Sequence, residues 1–280
     1  MLRLLAFLIG MIVMTLPVAA EKAGVGAWED SRFTILSWIE DTPALGWYYN
    51  WRPDQMWSKS RQPRSVEFVP MIHSAADVSK KIKSATLVTT LLGFNEPDGT
   101  GDHQADMSVE EALSLWPKLE ARGLRLGSPA TTQGQTLGRT SWLGRFMAQA
   151  DQRGLRIDFI AVHYYSPNGD VAAFRQFLQA VHRDYRRPIW VTEFAHIDWS
   201  RPGAASHAQN ADFADKAIRM MDKLPFVERH AWFAANPYPW KGGTPKINLL
   251  DANLRPTAVG KAFDRVLAQL AGDQVASRDN

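Results

Sequence analysis

Two apolar stretches that each end in a glutamate constrain this sequence most strongly. The first, Leu91–Asp98, runs through apolar residues and then ends in Asn95-Glu96-Pro97. The second, Pro188–Phe194, reads Pro-Ile-Trp-Val-Thr-Glu-Phe and carries Glu193 next to its end. Continuous apolar runs of this length are typical of parallel strands buried on both faces. We therefore expect two buried strands that present carboxylates at the same end of one barrel.

Eight apolar stretches, including these two, alternate with helical segments. The expected strands are Gly24–Trp28, Leu45–Tyr49, Val66–Ile72, Leu87–Asn95, Leu124–Ser128, Ile157–Tyr165, Pro188–Phe194 and His230–Ala235. Helical spacing of apolar residues predicts the helices Val109–Ala121, Trp142–Gln152, Val171–Asp184, Asn210–Lys223 and Thr257–Leu270. Eight alternating units in a chain of this length predict an α/β protein with one (β/α)8 TIM-barrel domain. The longer loops follow the strands, which places the functional site at the carboxyl ends of the strands.

The first twenty residues have the three parts of a secretory signal peptide. Met1-Leu2-Arg3 gives a positive start, Leu4–Val13 is apolar but too short to span a membrane, and Ala19-Ala20 supplies small residues. We therefore expect a signal peptide over residues 1–20, cleaved after Ala20, with an uncleaved anchor as the alternative. The mature domain, residues 21–280, is then exported, either periplasmic or secreted, with no membrane attachment.

Composition excludes several classes of function. The chain has 280 residues, no cysteine and a formal net charge of +3, without a run of like charges. Its stability must therefore come from packing, and nothing indicates a nucleic-acid partner. The histidines show no metal-ligand spacing, and a Gly-rich phosphate loop and a serine nucleophile elbow are both missing from the sequence. We expect a monomer that uses no metal and no cofactor.

Two strand-end carboxylates fit the cleavage of a glycosidic bond. One carboxyl group must protonate the departing sugar oxygen, and the other must stay ionised to attack the anomeric carbon or to activate a water molecule. Glu96 and Glu193 are the candidates for these two roles. A structural glutamate in a salt bridge is the alternative for either residue alone, but the pair at matching strand ends favours catalysis.

Three polar residues stand close to these glutamates in the expected strands. Asn95 directly precedes Glu96, where its amide can bond a sugar hydroxyl. His163 and Tyr165 are two positions apart and share one face of their strand, and we expect both to bind substrate. If that face points into the barrel mouth, Tyr165 can donate a hydrogen bond to Glu193 and keep it ionised. The alternatives are a loop-capping asparagine and a buried His-Tyr pair in which each side chain satisfies the other.

Aromatic residues cluster where a sugar-binding cleft would need them. Flat aromatic faces stack on the apolar faces of sugar rings. We therefore expect Trp47, Tyr49 and Trp51 to bind substrate, and Tyr48 to fill the core. A second aromatic wall is expected from strand eight and its loop, namely Trp232, Phe233, Tyr238 and Trp240. Core filling is the alternative for each of these side chains.

Four motifs, in this order, resemble those of glycoside hydrolase family 128. They are Gly46-Trp47-Tyr48-Tyr49-Asn50-Trp51, Gly93-Phe94-Asn95-Glu96-Pro97-Asp98, His163-Tyr164-Tyr165 and Trp190-Val191-Thr192-Glu193-Phe194. Members of that family are clan A (β/α)8 barrels that cleave β-1,3-glucans with retention. The resemblance implies Glu96 as the acid/base and Glu193 as the nucleophile. It also implies that the partner is a β-glucan polysaccharide or oligosaccharide.

The sequence thus predicts an endo-acting, retaining β-1,3-glucanase. Its two carboxyl groups should lie about 5–5.5 Å apart. The pKa of Glu96 should be raised relative to that of Glu193, so that Glu96 is protonated near neutral pH. Three alternatives stay open: a clan A hydrolase of another β-glycan, a non-catalytic carbohydrate-binding barrel, and a barrel aldolase or metal hydrolase.

Overall fold

A computed structural model describes residues 22–29, 34–56 and 65–278. The strands are β1 (Ala23–Gly26), β2 (Trp47–Tyr49), β3 (Glu67–Phe68), β4 (Thr90–Leu91), β5 (Arg125–Leu126), β6 (Ile160–Tyr165), β7 (Ile189–Ala195) and β8 (Val227–Phe233). The α-helices are α1 (Ile35–Asp41), α2 (Val109–Glu120), α3 (Trp142–Gln152), α4 (Val171–Tyr185), α5 (His207–Asp222) and α6 (Ala258–Arg278). The expected signal peptide lies outside the described residues.

The strands close into a parallel barrel, as predicted. Six of them pair in the order β3-β2-β1-β8-β7-β6, and β4 pairs with β5. Single parallel bridges join these two sheets, Met71 to Leu92 on one side and Gly127 to Phe159 on the other. The β3–β5 half has much shorter strands than predicted. Pro70 and Pro129 follow β3 and β5, and a proline has no N–H to continue a ladder.

The helices after β4 to β8 agree with the predicted ones to within a few residues at most ends. Gly123 and Gly154 stop α2 and α3 in the left-handed conformation, with φ values of +70° and +67°. The last helix, α6, continues to Arg278, eight residues past its expected end at Leu270. The seven-residue α1 was not predicted, because so short a helix depends on burying its apolar side chains rather than on its own propensity. None of the helices in the described ranges is long and apolar enough to cross a membrane.

Aromatic side chains fill the amino-terminal half of the barrel interior. The Trp190 ring lies 4.3 Å from that of Phe159 and 5.2 Å from that of Trp47. Two glycines make this packing possible, because a Cβ on Gly24 would lie 2.3 Å from the Trp47 ring and one on Gly127 would lie 2.5 Å from the Phe159 ring. The aromatic layer closes the barrel from below, so the carboxyl ends of the strands form the open end.

Two tryptophans predicted to bind substrate belong to the core, and those predictions were wrong. Trp47 is fully buried, and its Nε1 donates to the Lys22 carbonyl, 3.2 Å away. It shares a face with Tyr49, but it lies deeper in the barrel. Trp232 is also fully buried and points outward to the helices, where its Nε1 donates to the Ile247 carbonyl at 2.8 Å. Its neighbour Phe233 takes the inward face, because successive strand residues alternate.

We predict that Trp47→Ala lowers the free energy of unfolding by about 3–5 kcal/mol, because it leaves a cavity in the barrel interior. Trp240→Ala is the matched control, since its side chain is 42% exposed. It should change stability by no more than about 0.5 kcal/mol. Urea titrations followed by circular dichroism measure both variants. Equal losses would contradict the assignment of Trp47 to the core.

Candidate active site

An aromatic cleft of about 950 Å³ opens at the carboxyl ends of the strands. The loops that follow the strands supply its walls, as their length predicted. Representative lining residues are Trp28, Trp51, Gln104, Tyr165, Trp199 and Tyr238. Both candidate carboxylates, Glu96 and Glu193, also line this cleft. The cleft therefore lies at the barrel mouth, where the sequence predicts the functional site.

Glu96 is held at the end of β4 by a tight turn. Its backbone has a φ of 42°, a region that favours glycine. Its N–H donates to the Ala130 carbonyl at 2.6 Å, and its carbonyl accepts from Gly99 N at 3.0 Å. The side chain is fixed at both oxygens. His163 Nδ1 lies 3.0 Å from Oε1, and Gln104 Nε2 donates to Oε2 at 2.7 Å.

Glu193 is buried near the end of β7 and is held from two sides. Trp51 Nε1 donates to its Oε1 at 2.8 Å. The Tyr165 hydroxyl donates to its Oε2, which is the hydrogen bond that the sequence predicted. Tyr49 lies behind this carboxylate, fully buried, and its hydroxyl donates to the Thr192 carbonyl at 2.8 Å. Tyr49 therefore supports Glu193 from below and does not line the cleft as predicted.

His163 lies between the two glutamates and is completely buried. Its Nδ1 is 3.0 Å from Glu96 Oε1 and 3.4 Å from Glu193 Oε2. One ligand-type atom from each of the three side chains lies within 4.8 Å of the others. An oxygen of Glu96 and one of Glu193 therefore lie no more than 4.8 Å apart, which places the two carboxyl groups well below a separation of about 9 Å. The burial also places His163 behind the carboxylates, so the prediction that it contacts substrate was wrong.

The pKa values of the two glutamates are ordered opposite to the prediction. Burial tends to raise the pKa of Glu96, but the hydrogen bonds from His163 and Gln104 lower it below its usual value. Deeper burial raises the pKa of Glu193, and the donors Tyr165 and Trp51 offset this only in part. The sequence does not reveal these contacts, because His163 is 67 positions from Glu96 and Gln104 reaches Glu96 only through the fold of the loop after β4.

The surroundings of His163 favour its protonated form. Burial tends to lower the pKa of His163, but the charges of Glu193 and Glu96 outweigh burial and raise it. A carboxylate oxygen only accepts hydrogen bonds, so Nδ1 carries the hydrogen between the two ionised glutamates. The three groups therefore titrate as one unit, and a pH–rate profile will report values that belong to the unit.

The same three side chains form the sole group in the described ranges whose atoms are close enough to share a metal ion. Their ligand atoms already make hydrogen bonds with one another and with Gln104, Trp51 and Tyr165. The arrangement fits the sharing of a proton, and the expectation that the protein uses no metal stays a prediction.

The remaining predicted residues divide between the cleft and its support. Asn95 lines the cleft, but its Nδ2 donates to the His103 carbonyl at 3.1 Å, so its amide also anchors the loop after β4. Phe233, Tyr238 and Trp240 form the wall that was expected after β8. Tyr48 packs in the core, as predicted.

The cleft residues that sequence reasoning missed include Trp28, Gln104 and Trp199. Trp28 lies two residues past β1, so the rule that placed other strand-end aromatics in the cleft applied to it as well. Trp199 lies in the loop after β7, and its ring meets that of Tyr165 at 5.0 Å. Gln104 offers no such signal, because its contact with Glu96 depends on how the loop folds.

A closed (β/α)8 barrel with two carboxylates in an aromatic cleft at the strand ends is typical of the class of glycoside hydrolases. The family model described as "Glycosyl hydrolase catalytic core" matches residues 26–263. The chain belongs to this family and, within it, to glycoside hydrolase family 128.

Two solved structures illustrate the relationship. An endo-β-1,3-glucanase of family 128, subgroup I, from Amycolatopsis mediterranei, in complex with laminarihexaose, is 37% identical with a TM-score of 0.76. That match covers 88% of this chain and 99% of the other. A subgroup II endo-β-1,3-glucanase from Sorangium cellulosum is 26% identical with a TM-score of 0.69, over 88% of this chain and 98% of the other.

A relative in a longer protein also matches. Alkali-sensitive linkage protein 1 of Schizosaccharomyces pombe is 30% identical over 214 residues. The match covers 71% of this chain but 38% of that protein, so the similarity concerns only part of the yeast protein.

We predict that Tyr165→Phe moves the acidic limb of the kcat/KM–pH profile to higher pH. The lost hydroxyl favours the ionised form of Glu193, so its removal raises the pKa of Glu193 by about one unit. The maximal kcat/KM should fall about 10- to 100-fold, as expected for a hydrogen bond to a charged group.

Tyr164→Phe is the matched control for this variant. The Tyr164 ring faces the helices and stacks on Phe174 at 4.1 Å, so removal of its hydroxyl should leave the acidic limb in place. An unchanged acidic limb in Tyr165→Phe would show that its hydroxyl does not hold Glu193 ionised.

Proposed function

We propose that this protein is an endo-acting, retaining hydrolase of β-1,3-glucan. The observation that carries the proposal is the buried imidazole of His163 between two carboxylates whose nearest ligand atoms lie within 4.8 Å. Inversion needs a wider gap, about 6.5–9.5 Å, to hold a water molecule between the carboxyl groups. The substrate follows from the 37% identical enzyme, which acts on β-1,3-glucan and binds laminarihexaose.

In the first step, a carboxylate oxygen of Glu193 attacks the anomeric carbon while the glycosidic C–O bond breaks. Glu96 gives its proton to the departing oxygen, so the shortened chain leaves as an alcohol. The sugar is now bound to Glu193 as an ester. Trp51 and Tyr165 hold Glu193 in place for this attack through their hydrogen bonds to its two oxygens.

In the second step, the ionised Glu96 takes a proton from a water molecule, and the water oxygen attacks the anomeric carbon. The bond to Glu193 breaks, and both carboxyl groups return to their first state with the configuration of the sugar retained. His163 Nδ1, 3.0 Å from Glu96 Oε1, holds the Glu96 carboxyl group in place through both steps. The acid/base role of Glu96 and the nucleophilic role of Glu193 are part of this proposal.

The aromatic rim gives the cleft its affinity for sugar rings. Trp199 and Trp240, exposed at 39% and 42%, meet edge-to-face with their ring centroids 5.3 Å apart. Tyr238 stacks beside Trp240 at 5.6 Å, so the loops after β7 and β8 present one continuous aromatic surface. Such a surface can stack on successive glucose units without reading their linkage. Linkage selection is therefore assigned to the deeper part of the cleft.

We predict that the mature protein releases oligosaccharides from linear β-1,3-glucan but not from β-1,4-glucan. Glu193→Gln should abolish the activity, because an amide cannot act as the nucleophile. Reducing-sugar and chromatographic assays measure the products, and a spread of early product lengths identifies endo action. The anomer first released, followed by proton NMR, should have the β configuration.

Glu110→Gln on the exposed face of α2 is the matched control and should keep full activity. Release of the α anomer would contradict retention. Binding of β-1,3-glucan without release of any sugar would support the carbohydrate-binding alternative, and release from another β-glycan would support a different clan A activity.

Export is a further part of the proposal, together with a monomeric state. It rests on the charged start, apolar core and small-residue end of residues 1–20. We expect the protein purified from the periplasm or the medium of a bacterial host to begin at Glu21, as measured by N-terminal sequencing. A protein that stays in the membrane fraction with Met1 intact would indicate an uncleaved anchor instead.

A further inference from the structure

Gln104 lies on the loop after β4 and contacts the carboxyl group of Glu96. Its Nε2 donates to Glu96 Oε2 at 2.7 Å. Its own Oε1 accepts from Gly101 N at 2.8 Å, which fixes the direction of the amide. Gln104 is half-buried and lines the cleft. It is therefore placed both to control Glu96 and to meet a ligand.

The loop is shaped around this amide. A Cβ on Gly99 would lie 2.2 Å from Gln104 Cδ, and one on Gly101 would lie 3.0 Å from Gln104 Oε1. Asp98 fastens the start of the loop to the next strand end, since its Oδ1 accepts from Thr132 N at 2.9 Å. The two glycines thus make room for the Gln104 side chain, and Asp98 fixes the loop that carries it.

The position conflicts with the first catalytic step. Oε1 of Glu96 faces the buried His163, so the proton for a departing sugar oxygen must lie on Oε2, yet Oε2 accepts a hydrogen bond from Gln104. His163 is fully buried and cannot withdraw, whereas Gln104 faces the cleft. Rotating the Gln104 amide in place would set its NH2 group against the N–H of Gly101. The proton on Oε2 therefore requires the Gln104 amide to move away.

Other ionisable groups surround Glu96 on every side of the cleft. They come from the strand ends and loops that pack against it, and they are His73, Asp98, Asp102, His103, His163, Glu193, Tyr49, Tyr165 and Tyr238. Among them, His163 bonds the Glu96 carboxyl directly, at Oε1. Oε2 is left to Gln104.

We propose that Gln104 is a positioning residue that holds Glu96 ionised until a glucan chain displaces the Gln104 amide. The assignment rests on the proposed glucanase function for the identity of the ligand. The hydrogen bond itself does not depend on which ligand binds. Substrate binding then also allows Glu96 to take up the proton that it needs as the acid.

The direct test follows the carboxyl 13C resonance of Glu96 with pH in the ligand-free protein, assigned by its loss in Glu96→Gln. We expect Gln104→Met, which keeps length but lacks the donor, to raise the pKa of Glu96 by about one unit. Gly99→Ala should shift it in the same direction, because the new methyl group pushes the amide away. Gln133→Met, a cleft glutamine bonded to Tyr165 N, should leave the resonance unchanged.

The second measurement adds a β-1,3-glucan oligosaccharide to protein carrying Glu193→Gln, which prevents turnover. The oligosaccharide should raise the pKa of Glu96 when Gln104 is present and change it much less in Gln104→Met. In kinetics, the basic limb of kcat/KM on glucan should move to higher pH in Gln104→Met. On a Glu96→Ala background, Gln104→Met should have no further effect on activity.

An unchanged Glu96 resonance in Gln104→Met would overturn the proposal, as would an equal effect of this variant with and without Glu96. Both results are independent of whether glucan is the substrate, because the first measurement uses no ligand. Absence of glucan cleavage by the wild-type protein, with the resonance shifted as expected, would overturn the glucanase function and leave the role of Gln104 standing.

Discussion

The contact of one imidazole nitrogen with two carboxylates is the interaction on which this site depends. Two ionised glutamates so close together in a buried place would repel each other strongly. His163 Nδ1, at 3.0 and 3.4 Å from them, offsets this repulsion by sharing its hydrogen. The histidine has no exposed surface, so the barrel must bring the three side chains together from β6, β7 and the end of β4 before any substrate arrives.

The scaffold adjusts its strands where these side chains emerge. The register between β6 and β7 shifts between Val162 and His163, and that between β7 and β8 shifts between Val191 and Phe194. Irregularities of this kind turn side chains away from strict alternation and recur next to active sites. A further shift between β7 and β8 falls between Ile189 and Trp190, within the tightly packed aromatic layer. The irregular pairing of β7 therefore extends from the base of the barrel to its mouth.

The sequence predicts the features that follow from the spacing of apolar residues and from the ends of strands. It does not predict how deep a side chain lies in the barrel or how a loop folds. Apolar runs identified all eight strands, and matching strand ends identified Glu96, Glu193 and Tyr165. Alternation along a strand tells which face a side chain lies on, but not how far it lies from the mouth of the barrel. Trp47 was therefore assigned to the cleft, although it packs in the amino-terminal half of the barrel. The order of the two glutamate pKa values was also missed. Gln104 lies eight positions after Glu96 and reaches it only through the fold of the loop after β4.

The proton count explains how a carboxyl held ionised can still act as an acid. An imidazolium between two carboxylates and a neutral imidazole beside one protonated Glu96 carry the same total charge. The two states differ in where one proton lies and not in the number of protons. Filling the cleft removes water and the Gln104 donor from Glu96, and both changes favour its neutral form. Without a bound chain, Glu96 is therefore ionised and paired with His163. With a chain bound, Glu96 takes up a proton and can act as the acid.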